Sequence, residues 1–184
     1  MYRFIQTPLI GIILLLSAVG GAFGATLQQL SLSQMTQSAT AIVRARVTTS
    51  SGSITGTTIY THYALQVSET WKGVAPKDLV LPGGVANGLR QSFPGVPVLQ
   101  TGNEYILYLW TSPSSGLTHV VGLSQGIFDV TQQSDGTVQV GRARIGETML
   151  NASGQAVRDQ AIRMPLAQMK SQVTSGFSQA GASK

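Results

Sequence analysis

The chain has 184 residues, 12 of them Lys or Arg against 7 Asp or Glu and none of them Cys, so its net charge is +5 with only 10% of positions charged. The missing cysteine excludes a disulfide framework, thiolate metal ligands and a lipid-modified Cys. The cations are dispersed and pair only as Arg44/Arg46 and Arg142/Arg144 at strand spacing, so no nucleic-acid partner, which would need a concentrated basic face, is expected.

The first 24 residues read as a secretory signal. Arg3 precedes an apolar run from Leu9 to Val19, and the small residues Ala22 and Gly24 stand at −3 and −1 of a cleavage site. The run is 11 residues long, short of the ~20 that a spanning helix needs. Cleavage after Gly24 leaves residues 25–184, with 11 cations and 7 anions, a charge of 11 − 7 = +4, and no stable membrane span. Such a length suits one domain, expected over residues 25–177 in a secreted or periplasmic location.

Beyond the signal, Leu27, Leu30 and Met35, with Ser33 as N-cap, predict a short helix. Val43, Ala45 and Val47 then alternate with Arg44 and Arg46, a half-buried strand with a wet basic face that the run Ser50 to Ser53 is expected to end. In the next strand Ile59, Thr61, Tyr63, Leu65 and Val67 share one face, with Tyr60, His62, Ala64, Gln66 and Ser68 on the other. Its length predicts a bend or service to two sheets. A third strand, Asp78 to Leu81, is stopped by Pro82-Gly83-Gly84.

From Gly83 to Gly102 come twenty residues with five Gly, two Pro and no period. A structureless loop of that length inside a compact domain is usually functional. It carries Leu89, Arg90 and Phe93, an apolar and cationic set suited to an interaction surface; the alternative is that Leu89 and Phe93 plug one end of a barrel. Strands follow at Asn103 to Trp110, His119 to Val121, Ile127 to Thr131 and Thr137 to Gly141, with a turn at residues 113–116. Trp71 and Trp110 end strands and are expected to lie on the core as lids. Leu166, Met169 and Val173 predict one amphipathic helix covering the sheet, with Gly176 as its stop and Ser178 to Lys184 as a disordered tail.

Catalytic signatures are sparse. Gly122-Leu123-Ser124-Gln125-Gly126 matches the G-x-S-x-G of a serine hydrolase's nucleophile elbow, a strand, a sharp turn and a helix. Here an alternating strand, Ile127 to Val130, follows instead, and both histidines, His62 and His119, precede the serine. Ser124 therefore reads as part of a hairpin or bulge between strands, and no catalytic residue is assigned. The seven acids never fall at metal-ligand or paired-carboxylate spacing, so neither a metal nor a cofactor is expected. His62 reads as a surface residue, and Asn151-Ala152-Ser153 is a glycosylation sequon by pattern only.

The signatures Trp71-Lys72-Gly73, Pro82-Gly83-Gly84 and Val121-Gly122-Leu123-Ser124-Gln125-Gly126 resemble a scattered family of secreted bacterial β proteins of unknown function, over residues 39–131. More distantly, the order of strands is similar to the OB barrels of netrins and tissue inhibitors of metalloproteinases. Inhibition in the latter depends on an N-terminal Cys, which the expected mature start Ala25-Thr26-Leu27 lacks, so that mechanism does not carry over. The expected fold is mainly β, a small OB-like barrel or sandwich with a short N-terminal helix and one C-terminal amphipathic helix. The expected function is an exported, non-enzymatic binding or interaction module for an unknown protein or surface ligand outside the cytoplasm. Regulation or inhibition of an exported peptidase is the alternative, and hydrolysis through Ser124 ranks third.

Overall fold

The computed structural model describes residues 26–181; the expected signal segment 1–24 lies outside them. Strand β1 (Thr26–Gln28) leads into helix α1 (Leu32–Ser38), followed by a long hairpin of β2 (Ala41–Thr55) and β3 (Thr58–Lys72). Then come β4 (Asp78–Pro82), β5 (Gly84–Ala86), β6 (Leu89–Gln91), β7 (Glu104–Thr111) and β8 (Thr118–Val120). A 3₁₀ turn at Leu123–Gly126 precedes β9 (Ile127–Gln132), β10 (Val138–Arg142), β11 (Thr148–Leu150), β12 (Ala156–Val157) and β13 (Ile162–Pro165), and α2 (Leu166–Gly181) ends the described chain.

Among the described residues the fold is mainly β with two helices. Its main sheet is antiparallel throughout, in the order β13-β10-β9-β7-β2-β3-β4, with β8 on the outer end of β7. No sheet is closed. Both faces of the main sheet are buried. On one, Val43, Ala45 and Val47 pack with Tyr63, Leu79, Leu81, Tyr105, Leu107 and Leu109. On the other, Ile42, Ile106, Tyr108 and Phe128 pack under Met35 of α1 and Met169 and Val173 of α2. The expected apolar face of the C-terminal helix is thus in place, as is Trp71; Trp110, by contrast, is 41% exposed.

Several expectations are corrected. The N-cap of α1 is Ser31, whose hydroxyl accepts from the Gln34 N–H while the Gln34 side chain accepts from the Ser31 N–H. That reciprocal pair is the Ser-x-x-Gln capping box, a stronger start than Ser33 alone. The run Ser50 to Ser53 does not end β2, which continues to Thr55 and turns at Gly56, φ +59°. Three register shifts leave Trp71 and Ser68 of β3 and Thr48 of β2 without opposite numbers, and such bulges bend a long hairpin so that it can stay in one sheet. The Thr48 bulge also changes parity: Ser50, opposite Tyr63, shares the face of Val47.

Gly176 does not stop α2. The helix runs on to Gly181, so the start of the expected tail, Ser178 onward, is helical that far. One interior glycine costs only ~1 kcal/mol relative to alanine, too little to end the helix.

The basic stripe on β2 is a wet face only in part: Arg46 is exposed, whereas Arg44 is half-buried. Arg44 donates to both Glu104 oxygens at 3.0 and 3.1 Å and to Glu69 at 3.0 Å. Glu69 also accepts from Trp71 Nε1 at 3.1 Å and from Lys170 of α2 at 2.7 Å. The Lys170 hydrogen bond, with those from Trp71 and Arg44, outweighs the effect of burial and lowers Glu69 from 4.5 to about 2. A depressed carboxylate stabilises the fold above its unfolded pKa and releases that stability as pH falls through the folded one. Stability measured by denaturant unfolding should therefore decline from about pH 4.5 towards 2. Glu69→Gln should be less stable at neutral pH and show a flatter decline across that window; an unchanged slope would remove Glu69 from the acid response.

Candidate ligand cleft

The segment between β4 and β7 is not structureless. At the end of β4, Gly83 and Gly84 adopt φ values of +95° and +118°, which only glycine takes up freely, and fold the chain back over the β2–β3 hairpin. There it forms the small hairpin β5–β6, closed by the two-residue turn Asn87-Gly88 with φ of +50° and +76°. Asn-Gly between Val85-Ala86 and Leu89-Arg90 is the strongest short-range hairpin signal a sequence offers, and it was legible within the loop.

Four hydrogen bonds pin this hairpin to β3 and to the turn that precedes it. The Gly83 N–H donates to Ile59 O and Thr61 Oγ1 donates to Gly83 O, both at 2.7 Å. Gln91 takes the place of a missing strand, accepting from the Ile59 N–H at 2.7 Å and donating to Thr57 O at 3.4 Å. Gly52 explains the Ser-Ser-Gly-Ser run: a Cβ there would stand 1.9 Å from Val85 O. Glycine inside a strand often marks such a close backbone approach.

After β6 the chain wraps back to the core. Leu99 is buried with Val47 and Tyr105, the Gln100 N–H donates to the Tyr105 hydroxyl at 3.0 Å, and the Gly102 N–H donates to Val47 O at 2.8 Å. Between this loop, the small hairpin and the sheet lies a cleft of about 550 Å³, with Ser50, Thr61 and Tyr63 on the sheet side and Arg90, Phe93 and Val98 on the loop side. Burial pushes the Tyr63 hydroxyl up, hydrogen bonds to the Leu99 backbone and Thr61 offsetting only part of it, so the group is neutral at physiological pH. Of the three loop residues singled out in the sequence, Arg90 and Phe93 line the cleft. Leu89 does not, and at 61% exposure it is no plug.

The G-x-S-x-G stretch is a break in an edge. β8 and β9 both run antiparallel to β7 on the side away from β2, so Gly122 to Gly126 is a bulge between them and not a hairpin. Gly122 and Leu123 take φ of +66° and +56°. Gln125 is buried there, accepting from the Leu30 N–H at 2.8 Å and donating to Gln28 O at 2.9 Å. The hydroxyl of Ser124 is buried without a hydrogen-bond partner among the described residues, and no histidine is bonded to it: His119 Nδ1 lies 3.2 Å from Val80 O and His62 Nε2 lies 2.9 Å from Ser53 Oγ.

The His62 contact places a hydroxyl, an imidazole and the Asp78 carboxylate in a row that sequence spacing had not revealed. Asp78 Oδ2 is 3.8 Å from His62 Nδ1, beyond hydrogen-bond length, so it does not fix the ring as a catalytic base requires. Ser53 does not line the cleft. Among the described residues no group of three His, Asp or Glu is placed to hold a metal ion, and no helix is long and apolar enough to cross a membrane. No family model matches the chain, and no curated protein does.

Proposed function

We propose that the protein is an exported, non-enzymatic binding module whose ligand occupies the cleft beneath the β5–β6 hairpin. The observation that carries this reading is the cleft itself. Its volume of about 550 Å³ falls in the ~300–1,000 Å³ range of ligand sites, and its roof is held in place by four specific hydrogen bonds. We read strands β4-β3-β2-β7-β8 as a partly open barrel of OB type: β8 returns beside β4 through the His119 contact to Val80. The cleft opens on the core-facing side of β2 and β3, the mouth of such a barrel, and barrel mouths commonly take ligands. Export rests on the signal-like residues 1–24, and β1 starts at Thr26, just past the expected cleavage site.

The test pairs thermal unfolding with recovery of bound material by the immobilised protein from the exported fraction. Arg90 is exposed and makes no ion pair among the described residues, so Arg90→Ala should leave the melting temperature unchanged and reduce recovery. Phe93 is half-buried; Phe93→Ala should lose about 1–3 kcal/mol, less than a fully buried ring, and reduce recovery as well. Wild-type recovery by both variants would sink the cleft as the binding site.

Peptidase regulation by hairpin insertion is favoured by a different observation. Val85 and Leu89 stand 51% and 61% exposed beside the Asn87-Gly88 tip. Recovery of a peptidase that Leu89→Asp no longer holds would select this second reading.

A further inference from the structure

Among the described residues that line the cleft, Arg90 alone carries a charge, and no Asp or Glu borders it. Arg90 is exposed and makes no ion pair among the described residues, so its guanidinium is open to a solute. Other polar side chains on the cleft are already committed. Thr61 Oγ1 donates to Gly83 O, Gln91 bonds to the backbone of Ile59 and Thr57, and the Tyr63 hydroxyl is held by the Leu99 backbone. The loop side is otherwise apolar over Phe93, Val96 and Val98. Phe93 and Val96 are half-buried, and Val98 stands 75% exposed.

Charge and surface together select a ligand class. A cation with no acid beside it favours an anion and disfavours a second cation. The guanidinium fork matches the two oxygens of a carboxylate. One cation also balances one negative charge, so a phosphate ester dianion would bring a second charge with nothing to pair it. A purely ionic solute would leave Phe93, Val96 and Val98 in water, whereas an apolar chain laid over them removes that surface from solvent. We propose, resting on the cleft as the binding site, that the ligand is a small amphiphilic monocarboxylate, its carboxylate on Arg90 and its apolar chain along Phe93, Val96 and Val98.

Three probes of one chain length separate the contributions: octanoate, octan-1-ol and octylammonium, each titrated into the purified protein at neutral pH while backbone amide shifts are followed by nuclear magnetic resonance. Octanoate should shift the amides around Arg90, Phe93 and Val98 saturably and bind about three- to tenfold more tightly than octan-1-ol, the effect of one partly exposed charge-assisted hydrogen bond. Octylammonium should bind more weakly than either. Arg90→Gln should keep the native melting temperature and bring octanoate down to the level of octan-1-ol. Octanoate binding no tighter than the alcohol, or a preference that survives Arg90→Gln, would overturn the proposal while the cleft, still filled by the alcohol, stood as a binding site. The absence of any saturable shift with octanoate would also overturn it, and the recovery experiment on Arg90→Ala and Phe93→Ala decides the cleft itself independently.

Discussion

Asp159→Ala should lower the free energy of unfolding by about 3–5 kcal/mol, the cost of leaving a buried cation without its partner. Arg142 and Asp159 are 8% and 4% exposed, and the carboxylate also accepts the Ile145 N–H at 2.8 Å. Burial pushes the Asp159 carboxyl up, but hydrogen bonds from Arg142 and Ile145 outweigh it and the net direction is down. Its contribution is thus present above the unfolded pKa and lost only in acid. Denaturant unfolding at neutral pH measures the loss. The double variant Asp159→Ala/Arg142→Met should recover much of it, because no charge is then left buried; a single variant as stable as the native chain would show that the pair is not desolvated.

Gly52→Ala should displace the β5–β6 hairpin. The new Cβ would meet Val85 O at 1.9 Å and its carbonyl carbon at 2.8 Å, both backbone atoms that no rotamer change moves aside. Overpacking of this kind typically costs about 1–3 kcal/mol, and the larger consequence is for the cleft, whose roof includes Val85 and Arg90. Backbone amide shifts over Gly84–Gln91 and recovery of bound material should both change. Gly56→Ala is the control: a Cβ there meets nothing within 4 Å, although its φ of +59° makes the substitution locally strained. If Gly52→Ala left the hairpin's amide shifts in place, the close approach of the two backbones would be refuted.

How much of this was legible depended on whether a signal was local. The alternation of Val43, Ala45 and Val47 and the helical spacing of Leu166, Met169 and Val173 each report one face, and both faces lie against the core. Ile42, Tyr108 and Phe128 form a second core that period-two reading did not single out, because what covers it comes from the distant helices α1 and α2. Gly52 read as punctuation because its reason for being glycine is Val85, a residue far along the sequence. Arg90 and Phe93 were found because an aperiodic loop draws notice. Ser50, opposite them, was not, since the Thr48 bulge alters which side chains of β2 point inward, and Thr61 and Tyr63 were read as sharing a face but not as walls of a cleft.

The pairing of β1 constrains the order in which the molecule can be assembled. Thr26–Gln28 runs parallel to Thr148–Leu150, the Gln29 N–H donates to Leu150 O, and Gln125 holds Gln28 and Leu30. The first strand to be made thus has no place to dock until most of the chain exists. Contacts between such distant segments form late, since the closure entropy of the intervening chain must be overcome before they contribute. The leading segment therefore stays unpaired while the β2–β3 hairpin, joined by a two-residue turn, can already form.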